Sequence, residues 1–133
     1  MERRIGQGSW RDYRWSVLVE PDGDAQFLTA DLTASDGRRH GSGMGGPITW
    51  PGRPLNVYTG RADGFPLVVL ARTDRAQQLA LRIDGVDAEP IWSLVAGGVH
   101  YLLHLIPESD PVSAVEVVGR TASGDVRESA RLA

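Results

Sequence analysis

Residues 13–24 read YRWSVLVEPDGD, and this stretch combines the two patterns that decide the fold class. Apolar and polar side chains alternate through its first eight residues, and the apolar face holds Tyr13, Trp15, Val17 and Val19. An alternation of period two predicts a β-strand with one buried face. The Pro-Asp-Gly-Asp sequence that follows predicts a turn, because proline presets φ and glycine accepts a positive φ.

The same combination of an alternating segment and an Asp-Gly turn recurs along the chain. Apolar and polar side chains alternate again in residues 27–34, and a Ser-Asp-Gly turn follows. Residues 13–34 are therefore predicted to form a hairpin. Further alternating or apolar segments lie at 55–59, 65–71, 79–83, 91–95, 97–106, 115–117 and 126–132. Turns spaced by about eight to twelve residues are typical of all-β sandwiches. We therefore predict an all-β fold, an immunoglobulin-like antiparallel β-sandwich of about eight or nine strands.

Residues 40–54 interrupt this regular pattern. The segment contains GSGMGGP at 41–47 and WPGRP at 50–54, and such a density of glycine and proline disfavours a helix or a central strand. We predict a long Gly/Pro-rich loop at 40–54 within a single β-sandwich domain spanning residues 1–133, since this length is close to that of the commonest domains. If the sandwich has a working surface, we expect it at this loop.

The composition excludes several kinds of site and partner. The chain has no cysteine, which excludes disulfide frameworks and thiol nucleophiles. Its net charge of −3 is mild, so we expect no nucleic-acid partner. No run reaches the roughly 18 apolar residues of a membrane span, and no apolar stretch follows the arginines at the start. We therefore expect a cytoplasmic location for the chain as given, or an extracellular one if it is a processed fragment.

All 14 basic residues are arginine. Arginine forms planar, bidentate contacts that lysine cannot form, so exposed arginines such as Arg14, Arg127 and Arg131 are candidates for contact with a protein partner. A GC-rich genome explains the same bias, and we favour that explanation.

Motifs for catalysis or metal binding are weak. A G-x-G-x-x-G match at residues 41–46 is followed by prolines instead of the helix that a phosphate-binding loop requires. On a strand, His100 and His104 would lie about 13 Å apart, too far to share a metal ion. Asp-Gly pairs are first of all turn sequences, and no G-x-S-x-G motif is present. We therefore predict no enzymatic activity, no catalytic residues, no metal and no cofactor.

The aromatic residues are the most informative candidates for a binding site. Trp15 is predicted to be part of the core by its alternation, whereas Trp50, between glycines and prolines, is predicted to be partly exposed. Tryptophan and arginine are typical of binding hot spots. A loop tryptophan also often folds back over the end of a sandwich, and this alternative stays open. The predicted binding residues are Trp50, Arg53, Tyr58, Trp10 and Met44.

Several segments of the chain resemble a known type of domain. ALRIDG at 80–85, YLLHLIP at 101–107 and VSAVEVVG at 112–119 are similar to the closing hairpins of small β-sandwich domains in uncharacterised actinobacterial proteins. GSW at 8–10 and PLNV at 54–57 resemble the same family. The resemblance implies an immunoglobulin-like sandwich that stands outside the membrane, and it implies no established activity.

Two functions follow as hypotheses. The first is a non-enzymatic binding or accessory module that presents loops or a sheet edge to a protein partner, or to a second copy of itself, in a larger assembly. The alternative is a small-ligand or carbohydrate-binding sandwich that uses Trp50, Tyr58 and Trp10. Coplanar exposed aromatics would favour carbohydrate, and an apolar patch with an arginine rim would favour a protein partner.

Overall fold

Alternating side chains form the strands of this protein, and glycine-containing turns separate many of them. The computed structural model describes residues 1–48 and 52–131. Within these residues all regular elements are strands and all strand pairs are antiparallel, which confirms the predicted all-β class. None of the described residues belongs to a helix that could cross a membrane.

The described residues form twelve strands instead of the eight or nine predicted. They are β1 (Arg3–Trp10), β2 (Tyr13–Asp22), β3 (Ala25–Ala34), β4 (Arg39–Met44), β5 (Asn56–Gly60), β6 (Leu67–Thr73), β7 (Gln78–Ile83), β8 (Val86–Ala88), β9 (Trp92–Ala96), β10 (Val99–Ile106), β11 (Ala114–Thr121) and β12 (Gly124–Arg131). The strands divide into two compact units, Met1–Pro47 and Ile48–Ala133. That residues 1–133 form a single domain stays a prediction.

The first unit holds one sheet of four strands in the order β1-β2-β3-β4, called the first sheet below. The predicted hairpin of residues 13–34 is present, with Tyr13 paired to Ala34 and Asp22 to Ala25. Gly23 makes its turn with a φ of 62°, a conformation that glycine adopts without strain. One face of the two central strands is buried, as the alternation predicts, and consists of Trp15, Val17, Val19, Leu28, Ala30 and Leu32.

Strand β4 corrects the predicted loop at 40–54, because residues 39–44 pair with β3 in regular register. The glycines of this segment belong to the sheet. A β-carbon on Gly43 would stand 2.5 Å from the backbone oxygen of Leu28, and one on Gly41 would stand 2.8 Å from a carboxylate oxygen of Asp31. Glycine in a strand often marks such a close approach. The non-strand segment is therefore shorter than predicted, and its residues 49–51 lie outside the described part.

The second unit holds two sheets, β5-β6-β10-β9 (the second sheet) and β12-β11-β7-β8 (the third sheet). Their shared apolar core combines residues of β6 and β10 with residues of β7 and β11, as two packed sheets of a β-sandwich do. Strand β6 is buried along its whole length. The core consists of Leu55, Leu67, Val69, Ala71, Leu81, Leu102, Ile106, Val115 and Val117.

Candidate functional site

Two of the predicted binding residues, Trp10 and Met44, lie at opposite ends of the first sheet. Trp10 ends β1 opposite Tyr13, whereas Met44 ends β4 opposite Leu28. Six residues of strand separate the two rows, which corresponds to about 20 Å. The structure therefore does not bring Trp10 and Met44 into one site.

Two other predicted binding residues, Arg53 and Tyr58, belong to the second unit and contact other residues of that unit. The guanidinium of Arg53 forms an ion pair with Glu128 at 3.3 Å. The ring of Tyr58 occupies the space beside Gly60 that a β-carbon would take. Trp50, the centre of the predicted binding loop, lies outside the described residues.

The polar face of the first sheet forms a groove that the sequence did not single out. The register of the four strands places their side chains in rows across this face. One of these rows consists of Ser9, Arg14, Thr33 and Arg39. The groove has a volume of about 510 Å³, within the range of small-ligand sites. Its lining includes Arg4, Ser9, Arg14, Asp31, Thr33 and Arg39, and we call it the arginine groove.

The positive charges of the arginine groove exceed the negative charge of its lining. Arg14 and Arg39 lie in one row with Thr33 between them, so their Cα atoms are about 10 Å apart. Arg4 donates a hydrogen bond from Nη1 to Oε1 of Gln7 at 3.0 Å. Among the described residues, none of these three arginines forms an ion pair. With Asp31 as the acidic lining residue, the groove carries a net charge of about +2.

The outer face of the third sheet shows the opposite arrangement. Arginines and acids of β7, β8, β11 and β12 form a continuous series of ion pairs. The pairs are Arg82–Asp87 (2.9 Å), Arg82–Glu116 (3.8 Å), Arg127–Glu116 (3.2 Å), Arg127–Asp125 (3.7 Å) and Arg120–Asp125 (3.4 Å). The hydrogen bond and the charge of Asp87 raise the pKa of Arg82. Within the described side chains, the three acids of this series match its three arginines.

A second groove, of about 460 Å³, adjoins the arginine groove at the turn between β1 and β2. Both grooves are lined by Ser9, Arg14 and Thr33. At this turn the rings of Trp10 and Tyr13 are 6.2 Å apart and tilted by 33°. The guanidinium of Arg11 lies 5.0 Å from the Trp10 ring centroid, in cation–π geometry. The two aromatics therefore do not form a coplanar platform, and Arg11 covers one face of Trp10.

The two histidines of β10 share one face of that strand, as predicted. His100 lies opposite Thr73, and His104 lies opposite Val69. Nδ1 of His104 is buried and has no hydrogen-bond partner within the described residues. Burial lowers the pKa of His104. In the described part of the chain, no three His, Asp or Glu side chains lie close enough to hold a metal ion.

The arginine groove is the main feature that sequence reasoning missed. The available signal was the alternation of residues 13–20, which places Arg14 and Ser16 on the polar face. Strands β1 and β4 were not predicted because their glycines break the alternation. Without those strands, nothing in the sequence places Arg4 and Arg39 on the same face as Arg14.

Comparison with known proteins identifies no relative of this chain. No family model, curated protein or solved structure matches the chain. The resemblance to actinobacterial sandwich domains therefore stays a prediction.

Proposed function

We propose that the protein is a non-enzymatic binding module that contacts a protein partner through the arginine groove. The observation that carries this proposal is the contrast between two faces. Among the described residues, Arg4, Arg14 and Arg39 form no ion pair, whereas Arg82, Arg120 and Arg127 of the third sheet each pair with an acid. An uncompensated positive surface attracts acidic partners and accelerates their association.

The positions of the arginines on strands support the same proposal. Arg14 and Arg39 extend from β2 and β4, the two strands that pair with β3. Binding groups on regular elements are held more accurately than groups on loops. Arginine is also enriched at the residues that contribute most to protein–protein affinity. The groove therefore replaces the loop at 40–54 as the surface that we expect to bind the partner.

We further propose that residues 48–133 form an immunoglobulin-like sandwich. The support is their strand order. If β5 to β12 are lettered A, B, C, C′, D, E, F and G, the second sheet reads A-B-E-D and the third reads G-F-C-C′. Immunoglobulin-like domains have this order. Such a fold serves many functions and by itself favours none of them.

The experiment is a pull-down from the native host with three forms of the tagged full chain. The Arg14→Gln/Arg39→Gln variant should lose a protein that the wild-type chain retains. The matched control, Arg120→Gln/Arg127→Gln, removes the same number of exposed arginines from the ion-paired face and should keep that protein. Equal retention by both variants would refute the proposal that the groove is the contact surface.

The alternative, a carbohydrate-binding module, has weaker support. Of the predicted stacking residues, Trp10 pairs with Tyr13 at a tilt of 33°, and sugar stacking favours coplanar rings. Glycan-array binding that is lost in Trp10→Ala or Trp50→Ala, and unaffected by Arg14→Gln/Arg39→Gln, would favour this alternative over a protein partner.

A further inference from the structure

The arrangement of charges in the arginine groove limits the ligands that it can hold. Arg14 and Arg39 are exposed, are about 10 Å apart at Cα, and each offers a planar fork of donors that matches a carboxylate. Arg4, which donates a hydrogen bond to Gln7, lines the same groove. A ligand that engages these groups together needs at least two anionic groups several ångströms apart.

Asp31 adds a second requirement. It lies in the row between Ser16 and Gly41, and it lines the groove with the arginines. Its carboxylate repels a compact, highly charged anion such as phosphate, and it accepts hydrogen bonds only. A suitable ligand therefore combines separated, singly charged groups with a hydrogen-bond donor for Asp31.

An extended acidic peptide meets both requirements. Alternate side chains of an extended chain project to the same side about 7 Å apart, and the flexible arginine side chains cover the remaining difference. The backbone N–H groups between them are donors of the kind that Asp31 accepts. The hydroxyls of Ser9, Ser16 and Thr33 line the same groove and can bond to peptide carbonyls.

We infer that the arginine groove binds an extended segment of a protein partner in which acidic residues alternate with other residues. This inference rests on the proposed function and specifies the chemistry of the partner. Arg14 and Arg39 hold two successive carboxylates, Arg4 adds positive charge at the β1 side, and Asp31 bonds to the peptide backbone.

The test is calorimetric titration of the full chain with a blocked heptapeptide in which glutamate alternates with threonine. We expect binding that weakens as salt is added, because the contacts are charge-assisted and exposed. Arg14→Gln and Arg39→Gln should each weaken binding about tenfold, the loss of one charge-assisted contact. The matched control Arg127→Gln should leave the affinity unchanged. The same peptide with glutamine in place of glutamate should not bind.

Further probes separate the peptide from other anions. Inorganic phosphate should bind more weakly than the peptide, and Asp31→Asn should strengthen phosphate binding because it removes the repelling charge. Tighter binding of phosphate or of an oligomer of uronic acid than of the peptide would overturn the inference. Equal binding of the glutamine peptide, or equal weakening by Arg127→Gln, would also overturn it.

Failure of this inference is distinguishable from failure of the proposed function. If the native partner is lost in Arg14→Gln/Arg39→Gln but the acidic peptide does not bind, the groove contacts a partner of different chemistry. Because both arginines are exposed, the thermal midpoint of each variant should equal that of the wild-type chain, and this measurement excludes unfolding as the cause of lost binding.

Discussion

Gly8 of β1 lies directly opposite Trp15 of β2, and the indole of Trp15 fills the place of the missing side chain. Cζ2 of Trp15 is 2.7 Å from the point that a β-carbon on Gly8 would occupy, and Cε2 is 2.9 Å from it. Trp15 is 7% exposed, so its ring cannot move freely into solvent. The glycine that interrupts the sequence pattern of β1 thus permits the packing of a core tryptophan.

Gly8→Ala should therefore destabilise the protein by about 1–3 kcal/mol, as overpacking of a filled site does. Chemical denaturation checks the free energy of unfolding, and tryptophan fluorescence should change as the ring is displaced. The matched control is Gly41→Ala on the other edge strand. There the β-carbon would meet a carboxylate oxygen of Asp31, which can rotate away, so the loss should be clearly smaller. Equal losses would contradict this explanation.

Stability should depend on pH through His104. Burial lowers its pKa below 6.5 in the folded protein, so the unfolded chain binds a proton at a higher pH than the folded one. The contribution of His104 to the free energy of unfolding should be constant above about pH 7 and should decrease as the pH falls through 6.5.

Denaturation at several pH values checks the effect of His104 on stability. His104→Gln should reduce the slope that begins as the pH falls below 6.5. His100→Gln, on the same strand face, should keep it because His104 is still present. A slope that survives undiminished in His104→Gln would assign the pH dependence to another group.

The ion pairs of the third sheet should contribute little to stability, and their contribution should depend on salt. Glu116 contacts both Arg82 and Arg127, so Glu116→Gln breaks the series at its centre. We expect a decrease of no more than a few degrees in the thermal midpoint at low salt, since exposed ion pairs are weak and screened. The difference from wild type should disappear in concentrated sodium chloride. A large loss that persists in salt would show that packing, not charge, is the cause.

The predicted single domain has a direct test in its unfolding. Leu28 of the first unit and Leu102 of the second are both fully buried, and each Leu→Ala change should cost about 2–5 kcal/mol. If residues 1–133 form one cooperative domain, both variants should lower the midpoint of one common transition, followed by circular dichroism and by fluorescence. Two transitions, each affected by one substitution, would contradict the single-domain prediction.

Much of the fold follows from the alternation of side chains and the turn residues within short segments, whereas the proposed binding surface, the arginine groove, does not. The hairpin of residues 13–34 and the burial of Trp15 were predictable, because alternation of period two and turn residues are properties of a short segment. Strands β1 and β4 were not, since their glycines break the alternation, and the close contacts that explain Gly8, Gly41 and Gly43 come from neighbouring strands. The predicted binding residues Trp10 and Met44 are the last residues of β1 and β4, but the structure places them at opposite ends of the sheet.

Arg14 and Arg127 show what each level of description determines. In sequence they are alike, since each is an arginine on the polar side of an alternating segment, and the sequence alone establishes that both belong to strands. Register then gives them different neighbours: Arg127 lies near Glu116 and Asp125, whereas Arg14 lies beside Ser9 and Thr33. Neutralisation of a charge depends on which residues approach within a few ångströms. Only the tertiary structure decides this, because Glu116 beside Arg127, and Ser9 and Thr33 beside Arg14, come from other strands.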